Sequence, residues 1–161
     1  MWREAYDRAT GNLVGSLARA TDADYEALEQ SVRRVLSESS GRVDGIACVF
    51  FIEDGENPPN ALWRKRLGEA RAIHPTLPRL IAYVTATTQL RWMLTALQWV
   101  APRATATRHQ VVGTWEEARR WMAANASAER VETLETLRRE LLTGGARSSA
   151  RMRVATASGG R

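Results

Sequence analysis

The densest group of residues able to do chemistry follows an apolar run at residues 46–52. It comprises Glu53, Asp54 and Glu56, with Asn57 and Asn60 beside them. Carboxylates this close could hold Mg²⁺ through hard oxygen ligands, or divide general acid and general base roles between them. They also suit a solvated acidic loop leading into a helix N-terminus, where the helix dipole favours negative charge. The solvated loop is the preferred reading, because the other strand-to-helix loops carry no second carboxylate cluster; Asp22 and Asp24 are the nearest candidates. Other chemistries lack their parts. No Ser or Cys sits in a G-x-S-x-G context, and Cys48 falls in the middle of the apolar run, where burial is expected. His74 and His109 are read as structural or surface residues. Neither G-x-G-x-x-G nor G-x-x-x-x-G-K-[ST] occurs, so the phosphate-cradling loops are missing. One cysteine and two histidines are too few for a structural zinc site. No catalytic residue, metal or cofactor is assigned.

The elements that would position these residues alternate. Leu13, Val14 and Leu17 read as a first strand fed by a turn at Gly11-Asn12. Thr21 with Asp24 marks a helix start, and Tyr25, Leu28, Val32, Val35 and Leu36 keep helical spacing. Glu26, Glu29, Arg33 and Arg34 form its expected outer face. Ile46–Ile52 is a continuous apolar run, as in a parallel strand covered on both faces. A helix from Pro58-Pro59-Asn60 carries Leu62, Trp63, Leu67, Ala70 and Ile73, and Leu80–Val84 is another buried strand. Thr87-Thr88 caps an unusually apolar helix, Gln89 to Val100. Thr105 to Val112 is the last strand, probing nearer an edge, and Thr114-Trp115-Glu116-Glu117 matches a capping box. Ser127 caps a final helix with Val131, Leu134, Leu137 and Leu141, which either packs on the domain or forms a dimer seam with a second copy. The order predicts an α/β fold: about four mostly parallel strands backed by helices, with any site on the loops at the carboxyl ends of the strands.

Composition narrows the class. The chain has 161 residues, 44% hydrophobic and 25% charged, enough for one domain with its own core. It has no apolar run of bilayer-spanning length and no signal-type run at its start, so the expectation is a cytoplasmic protein without a membrane segment. Of the net charge of +5, four units come from Arg147, Arg151, Arg153 and Arg161 in a Gly-, Ser- and Ala-rich tail without acids. The rest is close to neutral. Four arginines without interleaved aromatics argue for a flexible end, and against nucleic acid as the partner. The organisation read from the sequence is a domain at 1–126, a helix at 127–143 and a tail at 144–161.

Two stretches carry a family likeness. Leu90-Arg91-Trp92-Met93-Leu94-Thr95-Ala96-Leu97-Gln98-Trp99-Val100-Ala101-Pro102 precedes a short strand, and Thr114-Trp115-Glu116-Glu117-Ala118-Arg119-Arg120-Trp121-Met122 follows it. With the order of elements over residues 2–124, this resembles the STAS-like proteins related to bacterial anti-anti-sigma factors, of the small single-domain kind common in myxobacteria. The resemblance implies a non-catalytic module of a bacterial signalling complex that acts by contact with another protein. In that family a Ser or Thr at the start of the helix after the central strand is the phosphorylation switch. Residues 54–62 here contain no hydroxyl side chain, so the switch does not carry over. The expected partner surface is Glu53, Asp54, Glu56, Asn57, Asn60, Trp63 and Arg64, joined by Trp92 and Trp99, which lie seven apart on one helix face. The alternative from another class is a small nucleotide- or metal-dependent enzyme using Glu53, Asp54 and Glu56.

Overall fold

The computed structural model describes residues 1–53, 59–92, 94 and 106–144. Five strands form one sheet in the order β1-β2-β3-β4-β5: Trp2–Asp7, Asn12–Leu17, Ile46–Ile52, Arg79–Val84 and Thr107–Val112. β1 runs antiparallel to β2, and every later neighbour is parallel. The helices are α1 (Asp22–Glu38), α2 (Ala61–Arg71), α3 (Trp115–Asn125) and α4 (Ala128–Leu142), and residues 88–92 are also helical. The fold is α/β, as the alternating pattern requires. No helix among the described residues is long and apolar enough to cross a membrane.

The fifth strand is an addition to the sequence reading, which placed one strand in residues 2–20. β1 and β2 are a hairpin closed by Asp7, whose carboxylate accepts from the Ala9 N–H and the Thr10 hydroxyl. Gly11 turns the chain with φ +69°.

Sequential parallel strands with right-handed crossovers put all the connecting helices on one face of a sheet. The face under them carries Leu13, Ile46, Cys48, Ile81 and Tyr83, packed with Val35 and Leu36 of α1. The opposite face carries Val14, Ala47, Val49, Ala82, Val84 and Val112, which would be bare without further chain. α3 and α4 cover it with Trp115, Ala118, Met122, Val131, Leu134 and Leu137. The last helix therefore packs on the domain, the first of the two roles its sequence leaves open. Arg130 fixes its start: the buried guanidinium donates to the carbonyls of Thr10, Asp44 and Gly45 and pairs with the Asp44 carboxylate at 2.8 Å.

Four helix starts carry side-chain caps. Thr21 and Asp24 form a reciprocal capping box on α1, as do Thr114 and Glu117 on α3; Asn60 and Ser127 cap α2 and α4. One placement differs. Glu29, expected on the outer face of α1, is 5% exposed. It meets Arg33 at 2.8 Å and Arg66 of α2 at 2.6 Å. The reason is that α2 lies against α1, so α1 buries a second stripe beside the one facing the sheet. Trp63 completes that seam, stacked on Tyr25 (5.9 Å between centroids) and donating its indole N–H to Asp22 at 2.6 Å.

Candidate functional site

Of the nine residues expected to form a partner surface, five are described. Glu53 follows β3, accepts from the Ser16 hydroxyl at 3.1 Å and pairs with Arg3 at 3.5 Å. Asn60 is consumed as a cap, accepting from the Trp63 N–H at 3.0 Å. Arg64 is exposed and donates to the Pro59 carbonyl. Trp63 is 4% exposed and offers its ring to the α1–α2 seam, not to solvent. Trp92 is 74% exposed. Asp54, Glu56, Asn57 and Trp99 lie outside the described residues, as do Met93, Leu97 and Val100 of the apolar helix and the tail from residue 145. Among the described residues no group of three His, Cys, Asp or Glu could hold a metal ion.

The geometry instead gathers a site on the face beneath α1 and α2. An apolar cavity of about 90 Å³ lies there. The strands line it with Leu13, Leu17, Ile46, Cys48, Phe50, Ile52 and Ile81; α1 contributes Leu28, Val32, Val35 and Leu36, and α2 contributes Leu67. Its aromatic wall follows from the register. Gly15 stands beside Phe50, and Phe50 beside Tyr83, across three adjacent strands. A Cβ on Gly15 would fall 2.1 Å from the Trp2 ring, so glycine is what lets the indole lie across β2. Trp2 then reaches Phe50 at 6.1 Å and Phe50 stacks on Tyr83 at 5.7 Å. Packed interiors leave few voids larger than a water molecule. This one takes roughly the volume of three waters, and most of its wall is aliphatic or aromatic, the kind of lining on which an apolar guest packs.

Two arginines interrupt the apolar lining. Arg79 opens β4, on the same face as Ile81 and Tyr83, and is 3% exposed. Its terminal nitrogens donate at 2.6 Å to the carbonyls of Arg71, Ile73 and His74, closing the C-terminal end of α2. Arg71, the last residue of α2, donates to the Tyr83 hydroxyl at 2.5 Å, with its guanidinium 5.8 Å from that ring's centroid. Burial, and then the Arg71 charge, lower the pKa of His109 on β5, so its imidazole is neutral at pH 7. Burial pushes the Cys48 thiol up to about 12 against the pull of the nearby arginines. A thiol so held is protonated and a poor nucleophile.

Sequence reasoning missed Arg71, Arg79, Tyr83 and Trp2 as site residues. One signal was available. The two-residue strand period places Arg79 with Ile81 and Tyr83 on a face that α1 must cover, where a lone guanidinium is out of place. Comparison of the chain with protein-family models, with curated proteins and with solved structures finds no match.

Proposed function

We propose that this domain is a non-catalytic binding module whose ligand inserts a short apolar chain between the sheet and the α1–α2 pair. The observation that carries the reading is the cavity itself: a void walled mainly by aliphatic and aromatic side chains. The chemistry around it is that of a receptor. Its one thiol is held protonated, and the Tyr83 hydroxyl is engaged by Arg71. The test is calorimetric titration of the full chain with linear alcohols from propanol to hexanol. Each methylene that enters the cavity should tighten binding about fourfold, from roughly 0.8 kcal/mol per buried CH₂, until the void is full. Absence of binding across the series, or affinities independent of chain length, would refute the reading.

The resemblance to STAS-like proteins supports a second reading, contact with a regulatory protein. Trp92 favours it: a largely exposed indole is the kind of side chain that anchors interfaces. Trp92→Ala should then weaken the stoichiometric complex recovered with the native partner at least tenfold. Unchanged recovery would remove Trp92 from that reading. The two functions are compatible, since a ligand-filled core can report to a partner bound elsewhere on the domain.

A further inference from the structure

We propose that the cavity's ligand is an organic carboxylate: a short apolar chain inside, with its head group held by Arg71 and by the Nε–H of Arg79. The inference rests on the apolar-ligand reading and adds the head group to it. Three observations carry it. Among the described residues, both charged groups in the lining are cations and no carboxylate lines the cavity. Arg79 is 97% buried by its 3% exposure, and its Nε–H is buried without an acceptor, although both terminal nitrogens are used. Arg71, exposed at the end of α2, and the buried Arg79 also differ from other arginines of this fold in their partners. Arg130 is matched by Asp44, and Arg33 and Arg66 by Glu29, whereas no described ion pair includes Arg71 or Arg79.

The carbonyls at the end of α2 offset part of the Arg79 charge, since a cation belongs at a helix C-terminus. They do nothing for its Nε–H, and Arg71 beside it, exposed and in no described ion pair, is open to a ligand's charge. A carboxylate fits what remains. It supplies two acceptor oxygens to donors on adjacent guanidinium groups, and charge-assisted bonds of this kind are strong where water is partly excluded. A neutral head group would satisfy the Nε–H alone and gain nothing from the charge of Arg71.

The experiment compares hexanoate with hexan-1-ol, which share a chain and differ in charge, by calorimetry on the full chain at pH 7. Hexanoate should bind at least tenfold more tightly than hexanol. Raising the salt concentration should shrink that ratio. In Arg71→Met, which keeps the aliphatic stem, the ratio should fall towards one, and Arg71→Lys should restore part of it. Equal affinities for hexanoate and hexanol, or a preference for the alcohol, would overturn the carboxylate inference while leaving the apolar-ligand reading in place. If neither compound binds, both fall.

Discussion

Replacing Cys48 with methionine adds two carbon groups to a side chain that points from the middle of β3 into the cavity. If the void is there, those groups fill it. At roughly 0.8 kcal/mol for each buried carbon group, the variant should gain about 1.6 kcal/mol of stability. The void sets a ceiling of similar size: 90 Å³ at about 24 cal/mol per Å³ corresponds to about 2 kcal/mol. For a chain of this length the gain raises Tm by about 3–6 °C. The thiol is protonated at any pH used, so no charge is lost with it. Ala82 supplies the control. It is fully buried on the opposite face, where α3 and α4 already fill the space, so Ala82→Met should cost about 1–3 kcal/mol through overpacking. Urea unfolding followed by circular dichroism measures both variants. Opposite signs are the expected result. A Cys48→Met chain that is less stable than the parent would show that the space is not available, and the reasoning from the cavity would fail with it.

Three further outcomes are expected. Arg130→Met keeps the stem of that side chain but orphans the carbonyls of Thr10, Asp44 and Gly45, so thermal unfolding should show a loss of about 2–3 kcal/mol. Gly15→Ala drives a Cβ into the Trp2 ring; near-ultraviolet dichroism should lose the signature of the Trp2–Phe50 pair, at a cost of about 2 kcal/mol. The Thr21 N–H, then its hydroxyl, hold the Asp24 carboxyl well below the ordinary 3.8. A carboxyl depressed by folding contributes stability above its unfolded value and loses it as the pH falls through the folded one. Denaturation midpoints measured from pH 6 down to pH 2 should therefore fall below about pH 4, and Asp24→Asn should flatten that slope.

Local rules were legible in the residues themselves. Thr21 with Asp24 and Thr114 with Glu117 make their capping boxes, and the apolar runs at 46–52 and 80–84 are buried parallel strands. What escaped depends on partners distant in sequence. β1 was hidden because Trp2, Glu4 and Tyr6 alternate with Arg3, Ala5 and Asp7, an edge pattern that mixes charge with aromatics. Glu29 looked solvated because its burial requires Arg66 on another helix, 37 positions away. The role of α4 follows only from strand order, since sequential crossovers leave one face of the sheet uncovered. The site is the extreme case. A void is no residue's property, and although the strand period sets Arg79 on the covered face, its carbonyl partners at the end of α2 emerge only once that helix is laid over it.

The central claim is that a small guest enters between the sheet and the α1–α2 pair. Methyl-selective NMR during a hexan-1-ol titration addresses it most directly, because methyl groups mark both faces of one sheet. Shifts should be confined to Leu13, Val35, Ile46 and Ile81, which surround the cavity, while Val49, Val131 and Leu134 on the opposite face stay still. Shifts spread over both faces, or none at concentrations that saturate the calorimetric titration, would contradict the account.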